Sequence, residues 1–372
     1  MGTLRTFIWP DWQQRKKLLR KEALVLVAAA YPLLLFAYVW PQDWRNEATG
    51  IVLASWMAFL IRTLQYHLGL VLLLITVIAA FIGARRLALA ALPAALFTLV
   101  PTALQFLPRP APPAAIGQPI RVMSVNLLMA NEDTDGIIDE ILAAKPDVLL
   151  LQEYTPSWHQ AMQRRIGSDY PHESHVARDD SFGIAIYSRT PFAGKVDNRF
   201  RLGLSGVDQQ RAEIDLHGRR YALYHIHLLP PRSLDYYMDQ RTQFADLFDA
   251  ITAEKLPYIV CGDFNFSETT PQHRQLIAAG IGEAHNQATI GRGATWPVNG
   301  PMRYIVPGIR IDHVYLGPGL HAIKCETGIG RGSDHRPVVV DVIGTTPQEI
   351  GGITTEARRH GGQLDQSSDS GS

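Results

Sequence analysis

The stretch YIVCGDFN, residues 258–265, decides the interpretation of this chain. Its first four residues are apolar or aromatic and favour a buried β-strand. Asp263 follows that strand directly, and Asn265 comes two residues later. An acid and an amide at the end of a buried strand stand where loops gather side chains on a rigid scaffold. The stretch therefore predicts a sheet with a polar site at one edge.

The same arrangement recurs along the chain, because polar side chains repeatedly adjoin short apolar runs. The further positions of this kind are Asn126, Glu153, His227, Asp312, Asp334 and His335. Taken alone, Glu153 is interpreted as a solvated loop residue, His227 as a satisfied core histidine, and GDFN as an ordinary turn with an Asx hydrogen bond. Their repetition at strand ends predicts one shared functional site.

Residues 120–343 read as an α/β domain in which the strands are short. The predicted strands are 120–125, 148–151, 183–187, 212–216, 221–226, 258–261, 311–316 and 338–342. The predicted helices are 135–144, 235–254 and 271–279. The short connection 216–219 suits a hairpin, which favours a mixed or antiparallel sheet. A layered sandwich with the helices outside would bury such strands.

Residues 1–107 are predicted to form a membrane region. Three apolar runs, 23–40, 68–84 and 87–107, each approach the roughly 20 residues that a helix needs to cross a bilayer. The segment 51–67 is ambiguous because Arg62 interrupts it: 51–84 could be one long tilted helix, or an interfacial helix followed by a span. We expect about three transmembrane helices, with the second span near 51/68–84.

Charge asymmetry predicts the orientation of these spans. Five cations lie within 15–21, and Arg85 and Arg86 separate the second and third spans, whereas 42–50 carries one cation and two acids. The positive-inside rule then predicts an integral protein of the plasma (inner) membrane, with everything after the third span on the outer, periplasmic face. A fourth crossing or a missing one would reverse that side.

Composition also marks the boundaries of the domain. The Pro-rich stretch 108–119 is interpreted as a semi-stiff linker that holds the domain off the membrane, and 344–372 as a disordered tail. The formal net charge is zero, so no global basic field argues for nucleic-acid binding. The two cysteines, Cys261 and Cys325, favour buried apolar packing over a disulfide scaffold.

The ordered series NLL (126–128), QE (152–153), HIHL (225–228), GDFN (262–265), IDHVYL (311–316) and SDHRPV (333–338) resembles the endonuclease/exonuclease/phosphatase superfamily. The likeness covers about 120–343 and would make this chain a membrane-anchored, bacterial-type member with the deoxyribonuclease-I-like fold. The resemblance implies a four-layered α/β sandwich of two mixed β-sheets flanked by helices. GDFN followed by SDH is the more specific part of the signal, whereas QE or NLL alone is weak.

The resemblance also implies roles for the residues of the site. Glu153 is the expected principal Mg²⁺ ligand, with Asn126 beside it and Asp334 supporting the metal; Mn²⁺ is an alternative ion. Asp263 and Asn265 would orient the attacking water and hold the phosphoryl group. Asp312 would fix the ring of His335, and His227 would donate to a phosphate oxygen. The general base is left open between His335 and Asp263.

The predicted function is Mg²⁺-dependent hydrolysis of a phosphoester, most directly a phosphodiester, in the manner of a nuclease. The predicted partners are a phosphodiester substrate, either nucleic acid or lipid headgroup, and the lipid bilayer; no protein partner is predicted. The alternatives are a sphingomyelinase-like lipid phosphodiesterase and a catalytically inactive, membrane-tethered binding module. The arginines at 199, 201, 211, 219 and 220 are interpreted as solvated surface in preference to phosphate contacts.

Overall fold

The computed structural model describes residues 12–304 and 307–345. Four helices come first: α1 (Trp12–Val39), α2 (Thr49–Thr63), α3 (Gln65–Phe81) and α4 (Arg85–Ala103), the last followed by a 3₁₀ turn over Leu104–Phe106. The segments Gln13–Val39 and Arg85–Phe106 are each long and apolar enough to cross a membrane. Helices α2 and α3 satisfy that test only together, and they meet at a bend of 58°. The described part of the chain thus offers two spans, or three if the bent pair counts as one.

Twelve strands and five further helices follow. The strands are β1 (Ala115–Asn126), β2 (Val148–Gln152), β3 (His172–Val176), β4 (Ile184–Ser188), β5 (Asp197–Arg201), β6 (Asp208–Leu216), β7 (Arg219–His227), β8 (Tyr258–Asp263), β9 (Gly282–Glu283), β10 (Asp312–Leu316), β11 (Leu320–Thr327) and β12 (Val338–Thr345). The helices are α5 (Thr134–Ala144), α6 (Pro156–Ile166), α7 (Leu234–Ala253), α8 (Pro271–Ala278) and α9 (Ala284–Ala288).

The strands form two mixed sheets of six, with the orders β11-β12-β1-β2-β4-β3 and β5-β6-β7-β8-β10-β9. Each sheet has one parallel pair near its centre, β1 with β2 and β7 with β8, and the other pairings described are antiparallel. Helices α5 and α7 are the crossovers of these two parallel pairs, as parallel strands require. The predicted sandwich of two mixed sheets flanked by helices is confirmed.

Alternation of side chains along the strands builds the layers. In β2, Val148 and Leu150 point into the core between the two sheets, whereas Leu149 and Leu151 pack outward against α5 and α6. In β8, Ile259 faces the other sheet, and the next residue, Val260, packs under α7 and α8. Since both faces of these strands are buried, their sequences read as continuous apolar runs rather than alternating ones.

The predicted hairpin between β6 and β7 is present, with His217 and Gly218 both at positive φ, as a two-residue turn of this kind requires. Sequence patterns did not indicate β3, β5, β11 or α6. Strands β3 and β5 are polar edge strands, HESHV and DNRFR, which carry charged side chains in place of a β-rich apolar run.

The segment after α1 packs against the two-sheet domain, residues 115–345. Trp44 Nε1 donates to Gln275 Oε1 over 2.6 Å, and the Trp44 ring lies 4.9 Å from that of Phe244. Arg45 bridges two acids of α7, Asp246 and Asp249, at 2.8 and 2.7 Å. In the described part of the chain, this segment therefore lies directly against the two-sheet domain.

The Pro-rich segment contacts the domain as well. Arg109 donates to the backbone oxygen of Thr289 over 2.7 Å, and β1 begins at Ala115, which pairs with Thr345 of β12. Both ends of the segment are therefore fastened to the domain. The predicted tail lies outside the described residues from position 346 onward.

Candidate active site

Strand register places three site residues in one row across the second sheet. Asp263 at the end of β8 pairs with His227 of the parallel β7 and with Asp312 of the antiparallel β10. Cross-strand partners point to the same face, and the residues two positions before Asp263 and His227, Cys261 and His225, face the other sheet. The inner face of the sheet thus changes from an apolar core to a polar site at its edge.

The first sheet contributes the opposing row. Asn126 ends β1 beside Gln152 of the parallel β2, and Glu153 follows Gln152 with a φ of 56°. The Glu153 carboxylate accepts from the backbone N–H of Met129 over 2.8 Å and from Asn126 Nδ2 over 3.3 Å. Burial, together with the nearby charge of Asp334, raises the pKa of Glu153.

Asp263 Oδ2 is the centre of the site. Asn126 Nδ2 lies 3.1 Å from it, His227 Nε2 3.6 Å, and His335 Nε2 3.8 Å. The Asp263 side chain is almost fully buried, and burial raises its pKa. The structure therefore brings residues from both sheets to one carboxylate.

His335 is oriented by Asp312. His335 Nδ1 lies 2.9 Å from Asp312 Oδ2, a distance at which the ring N–H donates to the carboxylate, and this leaves Nε2 facing Asp263. Burial alone would lower the pKa of His335, but the charges of Asp312 and Asp263 raise it. The backbone N–H of His335 also donates to Ser333 Oγ, which in turn donates to the backbone oxygen of Asn126.

The turn after β8 holds Asp263 in place. The backbone N–H of Asn265 donates to Asp263 Oδ1 over 2.9 Å, and Asn265 has a φ of 51°, a conformation that Asn tolerates. Asn265 Nδ2 donates to the backbone oxygen of Leu228, so its amide ties the turn to the end of β7. No residue with a Cβ atom fits at position 262, because that atom would lie 1.8 Å from the backbone oxygen of Ile226.

His227 is buried, and burial lowers its pKa to about 4. It is therefore neutral at physiological pH, with one ring nitrogen free to donate. Its Nδ1 is buried without a hydrogen-bond partner among the described residues, and the ring of Phe182 lies 5.6 Å away. The backbone of His227 is fixed on both sides by the Gln209 amide.

Asp334 lies beside the site and accepts from Trp296 Nε1 over 3.0 Å through its Oδ2 atom. Its Oδ1 atom is buried without a partner among the residues described. Trp296 was not among the site residues predicted from the sequence. Ser333 was missed as well, although it lies within the SDH motif.

The donor set fits a hard divalent cation. Glu153 and Asp334 offer two carboxylates, and the charge of Asp334 contributes to the raised pKa of Glu153. Asp334 Oδ1 has no hydrogen-bond donor among the described residues. Mg²⁺ or Mn²⁺ prefers a few such oxygen ligands and retains water. Asn126 differs from the expectation, since it turns its NH₂ group to Glu153 and Asp263 and its Oδ1 to the N–H of Leu128. In this structure Asn126 bridges two carboxylates.

Other polar residues highlighted in the sequence lie outside this site. His225 is a buried core histidine whose ring nitrogens contact Gln152 and Gln210 at 2.6 and 2.8 Å. Arg211 and Arg220 pair with acids of the second sheet and of the segment after α7. Arg219 begins β7, eight residues from His227, which places it about 26 Å from the site along the strand.

Comparisons with known proteins agree with this fold. The sequence profile described as "Endonuclease/Exonuclease/phosphatase family" matches residues 123–335. The endonuclease/exonuclease/phosphatase from Beutenbergia cavernae is similar in structure with a TM-score of 0.52 and 20% identity, over 62% of this chain and 72% of that chain. Truncated Caenorhabditis elegans TDP2 is similar with a TM-score of 0.50 and 18% identity, over 60% and 98% respectively. At these identities the likeness concerns the fold alone. No curated protein sequence matches.

Proposed function

Since this chain belongs to the endonuclease/exonuclease/phosphatase family, we propose that it is a divalent-metal-dependent phosphodiesterase anchored in a membrane. Members of the family are generally hydrolases that act on phosphoester bonds. The proposal adds Mg²⁺ as the metal, a diester as the substrate, and the residues that perform the reaction.

The convergence of three groups on Asp263 Oδ2 carries the proposal. His227, His335 and Asn126 each place a nitrogen within 3.8 Å of that oxygen. Two imidazoles and a buried carboxylate that point into one space can bind an anionic phosphoryl group and exchange a proton with water. Two polar atoms at the site, His227 Nδ1 and Asp334 Oδ1, have no hydrogen-bond partner among the described residues and are therefore available to a ligand.

Each side chain then has a defined task. Asp263 and His335 form the proton-handling pair that takes a proton from the attacking water and supplies one to the leaving oxygen. Asp312 keeps the His335 ring in the orientation that presents Nε2. His227, neutral at physiological pH, donates to a non-bridging phosphoryl oxygen and stabilises the charge that grows there.

Glu153 and Asp334 would hold the metal, and Asn126 would set the position of Glu153. Once bound, the metal neutralises part of the phosphate charge that repels the nucleophile and stabilises the leaving oxygen. Carboxylate oxygens favour Mg²⁺ or Mn²⁺ over softer ions.

The membrane part of the proposal is supported by the two ends of the helix bundle. Arg20 donates to the backbone oxygen of Ile82, and Arg20 and Lys21 line the same crevice as Arg85 and Arg86. The two basic clusters therefore share one end, and the catalytic domain contacts the other. By the positive-inside rule, the basic end is cytoplasmic and the domain lies on the outer face.

The test uses the full-length protein in detergent, with bis(4-nitrophenyl) phosphate as a soluble diester. The wild type is expected to hydrolyse it in Mg²⁺ and to lose activity in EDTA. His335→Ala is expected to lower kcat by about 10²- to 10⁴-fold while retaining the melting temperature. His321→Ala, at a half-buried histidine of β11 outside the site, is the matched control.

Unchanged turnover in His335→Ala would show that the reaction does not use this site. Full activity of the wild type in EDTA would show that the reaction does not need a metal ion. A reporter enzyme that is active only outside the cytoplasm, fused within 108–114, tests the orientation. With the N-terminus in the cytoplasm, this segment lies outside only if the number of crossings is odd.

A further inference from the structure

Helix α2 has two opposite apolar stripes. Val52, Ser55 and Phe59 lie on its buried stripe, and Phe59 packs on Tyr237 of α7 with the rings 5.1 Å apart. Leu53, Met57, Leu60 and Leu64 repeat at helical spacing on the other side, and each is between 36% and 47% exposed. The helix has 15 residues and is therefore about 22 Å long, too short to cross a bilayer core of roughly 30 Å. Its exposed stripe suits a helix that lies in the membrane surface.

We propose that α2 lies in the outer headgroup layer and places the mouth of the active site at the membrane surface, so that the substrate is a phosphodiester lipid of that leaflet. This inference rests on the proposed function. It chooses between the two substrate classes that the sequence left open.

The loops at the active-site edge are attached to α2 and to the start of α3. Trp56 Nε1 donates to the backbone oxygen of Pro231, in the loop that follows His227. Thr269, in the loop that follows Asp263, donates to the backbone oxygen of Arg62 over 2.6 Å.

The loop that precedes Asp312 is attached as well. The backbone oxygen of Pro307 lies 2.7 Å from His67 Nε2, at the start of α3. All three strands of the Asp263 row thus have their active-site loops resting on this membrane-proximal surface. The site lies within one loop length of the bilayer.

The segment 296–304 forms a rim beside the site. Its Trp296 contacts Asp334, and its Asn299 donates from Nδ2 to the backbone oxygen of Ser333. Met302 is 46% exposed and Tyr304 73% exposed, with Arg303 stacked on the Tyr304 ring at 4.8 Å. An apolar side chain, a tyrosine and an arginine together are typical of surfaces that meet lipid headgroups.

The charge distribution favours lipid over nucleic acid. Of the five arginines noted in the sequence, Arg211 and Arg220 are paired with acids, and Arg219 stands at the far end of the sheet. Arg199 and Arg201 lie on β5, the edge strand of that sheet. A polynucleotide requires a row of free cations along the groove, whereas a single headgroup requires one anion site.

The reaction on such a lipid balances with water alone. The water oxygen forms a bond to phosphorus, one phosphorus–oxygen ester bond breaks, and the departing oxygen takes up a proton. The products are a phosphomonoester and an alcohol, one of which carries the acyl chains and remains in the bilayer.

The experiment compares two substrates with one preparation of the full-length protein. The protein is reconstituted into vesicles that contain equal amounts of phosphatidylcholine and phosphatidylglycerol, and Mg²⁺ is added. The release of diacylglycerol or phosphatidic acid is then measured. Hydrolysis of bis(4-nitrophenyl) phosphate is measured in parallel. The double variant Met302→Ser/Tyr304→Ser is expected to lose lipid hydrolysis by about tenfold or more, with unchanged hydrolysis of the soluble diester. Ile323→Ser, an exposed apolar residue of β11 in the other sheet, is the control.

The outcomes separate this inference from the proposed function. If the wild type cleaves the soluble diester but leaves the vesicle lipid intact, the lipid inference is overturned, whereas the proposed phosphodiesterase activity is retained. If the rim variant loses both activities equally, the rim serves the fold and the inference is overturned as well. If the wild type cleaves no diester, the proposed function itself has failed.

Discussion

His335 donates from Nδ1 to Asp312 over 2.9 Å, and its other ring nitrogen, Nε2, lies 3.8 Å from the carboxylate of Asp263. One imidazole thus connects two carboxylates that are cross-strand partners on β8 and β10. The Asp312 contact is a complete hydrogen bond, whereas the Asp263 contact is too long for one. The open side of the ring therefore faces the space that a phosphoryl group or its attacking water would fill.

Asp312→Asn is expected to lower kcat for the soluble diester by about 10²- to 10⁴-fold, because an amide can hold His335 in the wrong tautomer and orientation. KM should change little, since Asp312 contacts no substrate atom. Steady-state kinetics measure both constants. Asp341→Asn, which removes the acid partner of Arg121 on the first sheet, is the control and should retain kcat. Equal kcat for Asp312→Asn and the wild type would contradict the role of the dyad.

Glu153→Gln is expected to raise the Mg²⁺ concentration needed for half-maximal activity by about tenfold or more, because a neutral amide replaces a charged ligand oxygen. Removal of a buried charge beside Asp334 should leave the melting temperature unchanged or raise it in the absence of metal. Titration of activity with Mg²⁺ measures the first effect. Glu326→Gln, at an exposed acid on β11, is the control. An unchanged Mg²⁺ requirement would exclude Glu153 as a ligand.

Phe59→Ala is expected to destabilise the full-length protein by about 3–5 kcal/mol, because Phe59 is 1% exposed and packs against Tyr237 of the catalytic domain. Thermal unfolding in one detergent measures the loss. Phe81→Ala, at a residue of α3 that is 87% exposed, should have little effect. If both variants melt at the temperature of the wild type, α2 does not dock on the domain.

The stabilising effect of Glu254 is expected to disappear in acid. Burial alone would raise the pKa of Glu254, but donation from the backbone N–H of Leu256 and from Arg211 and Tyr224 lowers it from 4.5 to about 2. A depressed folded-state pKa stabilises the fold above the unfolded value of about 4.5, and this contribution is lost as the pH falls toward 2. Glu254→Gln should therefore lower the melting temperature at pH 7 by about 2–4 °C and have a smaller effect at pH 3. A difference that is constant between pH 7 and pH 3 would contradict the assignment.

The residues of the candidate site could be predicted from the sequence because their signal is local. Each polar side chain adjoins a strand, and the buried strands read as apolar runs that end at Asn126, Asp263 or their counterparts. Among the strands that sequence patterns missed, β3 and β5 lack this signal because they lie at sheet edges and remain half exposed. Trp296 was missed as a site residue because its contact with Asp334 spans 38 positions and leaves no local pattern.

The sequence by itself determined a layered α/β domain, the apolar N-terminal helices and the chemical types of the groups at the site, since these follow from periodicity, length and residue type. The division of the strands into two mixed sheets was implied by the resemblance to a known family. Only the tertiary structure decided which groups meet: Asn126 reaches Asp263 across 137 positions, through hydrogen bonding between strands and packing of the two sheets. The structure also decided that α2 packs on the catalytic domain. Its two apolar stripes read in sequence as one hydrophobic run, and only the packing of Phe59 on Tyr237 distinguishes the stripe that faces protein from the stripe that is left exposed.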